Sequence, residues 1–479
     1  MFDRNDLYIG GQWIAPVDGG SVDVIEAATE KVLGRSALAG PADIDAAVAA
    51  ARDALGGPWV AMSRAERADV LERFAAAMAA RAKETAELVS RENGMPITLA
   101  KPTNGYGPSA MLKYYAGLIR AAQDEEVRPG ALGGRTVVRS EPVGVVAAIT
   151  PWNYPQPLAA MKIAPALAAG CTVVLKPAPE TALDAFVFAD AAQEAGIPAG
   201  VLNVVPADRE AGAHLVAHPG VDKVAFTGST AAGRAIGEAC GRLLRPVTLE
   251  LGGKSAAIVA EDADLTVFAD HLLEVSLVNN GQTCHASTRI LAPRSRYAEV
   301  VEAVTETVRA LRVGDPLDKA TAIGPLVSAA QRDRVLGHIA AGRADGYQIT
   351  TGGGTPADLP QGWFVEPTVF AGVDNSASIS QEEIFGPVLT ITEYTDADDA
   401  VAIANDSKYG LGGTIWTSDE ECGLELARRI HTGTVGVNHY ALDLTAPFGG
   451  VKASGLGREL GPEGLEPYLA PKSVYFATR

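Results

Sequence analysis

Between residues 143 and 242 the chain alternates short apolar runs with Ala-rich helical patterns, and this constrains the fold more than any other feature. Val145–Ile149, Thr172–Leu175, Val201–Val205 and Lys223–Phe226 read as strands. Leu158–Ala169, Ala182–Ala195, Ala211–His218 and Ala231–Arg242 read as the helices that follow them. Strands separated by helices at this spacing form βαβ units on a parallel sheet, and ligands of such sheets bind beyond the carboxyl ends of the strands. A second alternating region runs from Ser255 to about 430, with helices expected at Asp264–Asn279 and Arg296–Leu311 and a Gly-rich turn at Thr351–Thr355. Upstream, Pro41 opens one helix, and Ser63 with Glu66 three residues later forms a capping box that opens another. The stretch 124–142 has extended character around Thr136–Arg139 and reads as a projecting hairpin arm.

Composition limits what such a fold can do. The 479 residues carry a formal net charge of −18, which repels phosphate backbones and anionic lipids and so disfavours a nucleic-acid or membrane-surface role. The longest apolar run, Ile163 to Leu175, falls short of the roughly 18 residues of a spanning helix. No apolar signal core opens the sequence, so a cytoplasmic location is expected. Four cysteines, at 171, 240, 284 and 422, show neither a CxxC pair nor a zinc spacing, so no metal is expected. Cys171 and Cys422 read as small core hydrophobes.

Cys284 stands apart, in Asn-Asn-Gly-Gln-Thr-Cys-His, with a turn glycine and polar neighbours. A free cysteine is only a few per cent thiolate at pH 7, so a nucleophilic role requires activation. His285 is poorly placed to provide it, because adjacent residues of an extended chain point to opposite sides. Three other segments offer chemistry, and each has an ordinary structural reading. Phe226-Thr-Gly-Ser-Thr-Ala-Ala-Gly, at a strand-to-helix turn, suits an anion such as a pyrophosphate, although any such turn holds glycines. Its spacing is neither G-x-G-x-x-G nor a Walker motif. Glu250, in Leu-Glu-Leu-Gly-Gly-Lys-Ser, ends a strand as a carboxylate held in a cleft or as a solvated turn residue. Asn153, in Thr-Pro-Trp-Asn-Tyr-Pro beyond strand 145–149, is an oxyanion donor or a turn asparagine.

These segments, in this order and together with Lys176-Pro-Ala-Pro-Glu, Glu382-Glu-Ile-Phe-Gly-Pro-Val and Pro447-Phe-Gly-Gly-Val-Lys-Ala-Ser-Gly-Leu-Gly-Arg-Glu, closely resemble the hydrolytic, NAD(P)-dependent branch of the aldehyde dehydrogenase superfamily. The resemblance implies an α/β fold. A Rossmann-type cofactor domain would comprise 1–123 and 143–250, and an α/β catalytic domain 251–446. A small β oligomerisation element would be built from 124–142 and 465–479, with 447–464 returning to the cofactor domain. It implies that Cys284 attacks the aldehyde carbon, that Asn153 and the Cys284 backbone N–H hold the oxyanion, and that Glu250 activates the water that hydrolyses the thioester. Lys162 and Glu459 match positions proposed to relay protons from that glutamate. NAD is the implied cofactor, with Lys176 on the adenosine ribose, Ser229 on the pyrophosphate, Gly228 and Gly233 shaping the turn, Trp152 lining the cleft, and Glu383 and Phe385 at the nicotinamide ribose and ring. One departure leaves NADP open: the glutamate usual three residues after the lysine in NAD-strict members is here Pro179, with Glu180 displaced by one. Tyr154, Pro157, Leu158, Met161, Thr283, His285, Leu442 and Phe448 match the entry tunnel. Their apolar character, without Lys or Arg and with few aromatics, implies an uncharged aliphatic, terpenoid or aromatic aldehyde. A homodimer or homotetramer is typical. A CoA-acylating relative and a non-redox cysteine hydrolase are the alternatives; Glu250 argues against the first, and nicotinamide reduction would exclude the second.

Overall fold

The computed structural model describes residues 2–123 and 125–477. Met1, Asp124, Thr478 and Arg479, which bound the expected amino-terminal, arm and tail segments, lie outside the described residues. The fold is α/β. An eight-stranded mixed sheet has the order Gly455–Leu456, Val247–Glu250, Lys223–Thr227, Val145–Ile149, Thr172–Lys176, Leu202–Val204, Leu7–Ile9, Gln12–Ile14. Its middle strands are parallel, with Phe226 opposite Ile149 and Ile149 opposite Lys176. Strand order reverses beside Val145–Ile149, whose chain neighbour Thr172–Lys176 lies on one side and Lys223–Thr227 on the other. That reversal opens a crevice at the carboxyl ends.

The helices between these strands follow from local chemistry. Pro155–Ala169 is buried along its whole length and stops at Gly170, whose φ of 98° no alanine adopts cheaply. Ser229 caps Thr230–Arg242 by accepting the Ala232 N–H. Ser63 and Glu66 form the expected capping box of Arg64–Ala80. A second, seven-stranded sheet runs Gln348–Thr351, Thr368–Ala371, Val388–Tyr394, Arg289–Pro293, Ala256–Val259, Gly413–Trp416, Gly436–Val437. The buried crossover Leu251–Ser255 joins the two sheets. A three-stranded antiparallel sheet pairs Leu469–Phe476 with Arg135–Pro142, and the latter with Glu125–Pro129. Among the described residues no helix is long and apolar enough to cross a membrane.

Two expectations are corrected. The helix expected over Asp264–Asn279 is α-helical only at Leu265–Leu272; it widens into a π turn at Leu273–Leu277, and Asn279 and Asn280 then take left-handed backbone. Periodicity carries the apolar pattern past the true end because the π turn keeps the same face buried. Cys422 is exposed rather than a core residue, because the helix Glu420–Arg429 turns Gly423 and Leu426 inward instead.

Candidate active site

The loop carrying Cys284 is built from amides. Asn279, Asn280 and Gly281 have φ of 52°, 60° and 74°, a left-handed run that Asn and Gly tolerate best. A Cβ on Gly281 would lie 2.1 Å from the Gly386 carbonyl oxygen. The side chains then bind this loop to the one that carries Asn153. Asn279 Nδ2 donates to the Asn153 carbonyl at 2.9 Å. Asn93 Nδ2 donates to the carbonyls of Trp152 at 3.2 Å and Asn153 at 3.0 Å. Asn280 donates to Gly94 and Pro325 and accepts from Gly324. Gln282 accepts from Val327 N–H at 3.0 Å. Asn153 in turn donates its side-chain amide to the Gln282 carbonyl at 3.0 Å, which leaves one N–H of that amide uncommitted. The residue the sequence did not signal is Asn93, roughly 190 residues from the cysteine loop, inside an unremarkable helix end.

Around Cys284 the environment raises proton affinity. Burial, and then the carboxylates of Glu383 and Glu250, push the thiol up to about 12. Glu250 is 2% exposed, and neither carboxylate oxygen has a hydrogen-bond partner. Burial and then Glu459 push its carboxyl well above the usual range, against the pull of Lys162 and Arg458. His285 is pushed down to about 4 by burial and stacks on Tyr440 at 4.8 Å, so it is a neutral aromatic surface. Lys162, fully buried, donates to Thr227 Oγ1 at 2.6 Å and to Glu459 Oε1 at 2.8 Å.

The crevice at the strand reversal holds the remaining residues singled out from sequence. Lys176 donates its ammonium to the carbonyls of Pro177 at 2.9 Å and Ala207 at 2.7 Å, which leaves one N–H free. Burial pushes it down to about 8. Gly228 and Gly233 leave space that no other residue would: a Cβ would meet Phe226 Cζ at 2.5 Å or Leu251 Cδ2 at 2.4 Å. Ser229 sits at the start of the helix Thr230–Arg242, where unpaired N–H groups favour an anion. Glu383 Oε1 accepts the Gly253 N–H at 2.9 Å, and burial pushes its carboxyl up to about 7. Phe385 has φ 62°, sits edge-on to Trp152 at 5.4 Å, and is held by Gln331 Nε2 on its carbonyl at 2.7 Å. Pro179 begins a short 3-10 turn, with Glu180 exposed. A dinucleotide fits this set of groups: an anion cradle, a lysine with a spare donor and a half-buried carboxylate.

On the opposite side of Cys284, Tyr154 OH and Thr283 Oγ1 are 2.9 Å apart. Leu158, Met161 and Phe448 are buried, whereas Leu442 is 40% exposed. A cavity of about 330 Å³ is lined by Tyr440, Leu442, Asp443, Pro447 and Phe448. Tyr440, fixed by a 2.6 Å contact with Thr434, was not singled out from sequence. Among the described residues no cluster of His, Cys, Asp and Glu suits a metal ion.

Comparison with known proteins gives one answer throughout. The model of the aldehyde dehydrogenase family matches residues 13–474. The chain is 54% identical to a geranial dehydrogenase of Castellaniella defragrans over 474 residues, covering 99% of both. Its structure is similar to that of a Mycobacterium tuberculosis aldehyde dehydrogenase complexed with NAD+, with a TM-score of 0.97, 48% identity and 99% of both chains covered. It is also similar to a Pseudomonas syringae aldehyde dehydrogenase variant in complex with NAD+ and octanal, with a TM-score of 0.95, 40% identity, and 98% and 96% covered.

Proposed function

The chain belongs to the aldehyde dehydrogenase family, and we propose that it oxidises uncharged aliphatic, terpenoid or aromatic aldehydes to carboxylic acids with NAD. The observation that carries this reading is the Glu250 carboxylate, buried and without a hydrogen-bond partner on either oxygen, beside a cysteine whose thiol it influences. A thioester is slow to hydrolyse without a base, and a relative that hands its acyl group to a second thiol has no use for such a base.

In this reading the Cys284 proton passes to Glu250, and the thiolate sulfur adds to the aldehyde carbon. The new oxyanion is held by the Asn153 amide, with the Cys284 backbone N–H as second donor. NAD, when bound, supplies the hydride acceptor that converts the adduct to a thioester. Lys176, Ser229 and the Gly228–Gly233 turn would hold its adenosine and pyrophosphate portion, and Trp152, Glu383 and Phe385 its nicotinamide portion. Once Lys162 and Glu459 have carried that first proton away, Glu250 takes a proton from water as the water oxygen bonds to the thioester carbon, and the carbon–sulfur bond breaks to release the acid and return Cys284 as its thiolate. Lys162 and Glu459 pass the proton onward.

Geranial and octanal, in the names of two relatives, are both uncharged and apolar, as the lining of Tyr154, Leu158, Met161 and Phe448 suggests. Asp443 at the rim adds a charge that repels acidic aldehydes. Pro179 in place of a ribose-binding glutamate leaves some NADP use expected. We assign the eight-stranded sheet to the cofactor and the seven-stranded sheet to the catalytic domain. The three-stranded sheet would be the subunit-joining element of a cytoplasmic homodimer or homotetramer. The test is reduced-nicotinamide formation from hexanal, geranial and benzaldehyde, with NAD and NADP separately and Cys284→Ala as control. Turnover that the variant lacks is expected; a clear preference for succinate semialdehyde over hexanal would overturn the substrate assignment.

A further inference from the structure

Lys223 opens the parallel strand Lys223–Thr227, is 1% exposed, and forms no ion pair among the described residues. Its Nζ donates to Thr248 Oγ1 at 2.8 Å and lies 5.1 Å from the centroid of the Tyr468 ring, whose hydroxyl is buried without a partner. Placing an ammonium there is costly, because burial removes its hydration and no carboxylate at contact distance replaces it. The cost calls for a purpose, and register shows where the charge acts. Ala225 pairs with Thr248, and Thr227 with Glu250. Side chains alternate along strands, so Lys223, Thr227, Thr248 and Glu250 all project from one face of the sheet. The helix Pro155–Ala169 covers that face and lays Lys162 on Thr227 and Glu459. A buried polar line thus runs from Glu250 at the carboxyl end of the sheet, past Thr227, Lys162 and Glu459, to Lys223, Thr248 and Tyr468.

We propose that Lys223 is a positioning residue for thioester hydrolysis, its cation at the far end of this buried line helping Glu250 to act on water. The proposal rests on the assignment of Cys284 and Glu250 made above. The electrostatics agree with it. Burial pushes Lys223 down to about 8, with Glu459 and the thiols of Cys171 and Cys240 pulling it up and Lys162 pressing it down. Glu250 feels Glu459 against Lys162 and Arg458. Burial and then Glu459 push the Tyr115 and Tyr468 hydroxyls upward, so both stay protonated. Removing a cation from one end of the line raises the proton affinity of Glu250 at the other.

The experiment follows the acyl group on Cys284 directly. The full-length protein is pulsed with p-nitrophenyl acetate, and loss of the acetyl mass is timed from pH 5.5 to 9. In Lys223→Met the acid limb of the hydrolysis profile is expected to move up by about one pH unit, as for a unit charge roughly 13 Å away at an effective dielectric constant of about 20. Hydrolysis at a pH on that limb then falls by up to about tenfold, while adduct formation is retained. Lys223→Arg restores the limb. Thr248→Val, which keeps volume and removes only the hydroxyl, moves it the same way by less, and serves if Lys223→Met does not fold. Overlapping profiles in all variants would overturn the proposal, as would an equal shift in Lys223→Arg and Lys223→Met. Failure of the parent to form the adduct on Cys284 would overturn the assignment of the cysteine instead.

Discussion

Two buried carboxyl pairs lie in this molecule, and they are arranged for opposite ends. Glu92 and Asp184 are enclosed, 0% and 1% exposed, and their contacts come from uncharged donors: the Leu183 N–H on Glu92 at 3.0 Å and the Gln156 amide on Asp184 at 2.6 Å. Burial and then Asp184 push Glu92 well above the usual range, and burial pushes Asp184 up to about 7. Among the described residues no lysine or arginine forms an ion pair with either. Glu250 and Glu459 are equally buried but are served by two lysines, Lys162 in contact with Glu459 and Lys223 farther along the same sheet face. The first pair keeps its proton and fills space. In the second, cations bring the anionic form within reach, so a carboxylate with no hydrogen bond of its own becomes a usable base.

The largest effect expected from this contrast is on Glu250. Glu250→Gln should slow release of the acyl group from Cys284 by about 10²–10⁴-fold, whereas Asp184→Asn should leave that rate within a fewfold of the parent; acyl-mass decay after a pulse reads both. Next comes Asn153→Ala, with a loss of about 10²–10³-fold in kcat that is equal across aldehydes of different chain length, because the oxyanion is common to all. Asn93→Leu removes two hydrogen bonds from the Trp152–Asn153 backbone, leaving the Trp152 carbonyl without its donor and the Asn153 carbonyl with Asn279 alone. It should cost about 1–3 kcal/mol of stability by thermal unfolding and lower kcat more than it raises KM.

The smallest effect concerns pH and stability. A carboxyl whose folded pKa lies above its unfolded value contributes stability that is complete below the unfolded pKa, about 4 for aspartate, and is lost as pH rises through the folded one. For Asp184 that window runs upward from about 4 to about 7. Asp184→Asn should therefore flatten the decline of Tm across that range and be the more stable protein at pH 8. A parallel decline in parent and variant would mean that the Glu92–Asp184 pair is not the proton-holding group described here.

What was legible in the sequence was mostly local. The strand–helix alternation, the helix start at Pro41 and the Ser63–Glu66 capping box are decided within a few residues, and the structure has them. Cys284, Glu250 and Asn153 were visible as motifs, although their individual signals were ambiguous until taken together. What was not legible depends on partners distant in the chain. Asn93 acts on Trp152 and Asn153, Gln331 on Phe385, and Lys223 is given meaning by the register of two strands and by Glu459. The end of the helix before Cys284 was missed for a related reason. A π turn and a left-handed pair of asparagines leave no mark on apolar periodicity, and the asparagines are held by amide contacts to Gly94, Asn153 and Pro325, all distant in the chain. Cys422 was misread because an amphipathic helix does not declare which side of its stripe a borderline residue occupies.

The most direct test of the central claim, that Cys284 forms the thioester and Glu250 releases it, is a rapid-mixing measurement of NADH formation from hexanal by Glu250→Gln. The account predicts a single, slowed turnover of about one NADH per active site, because the thiol has also lost its proton acceptor, followed by near-arrest with the hexanoyl mass retained on Cys284. Continuous turnover at the parental rate, or a burst with no acyl group on Cys284, would contradict it.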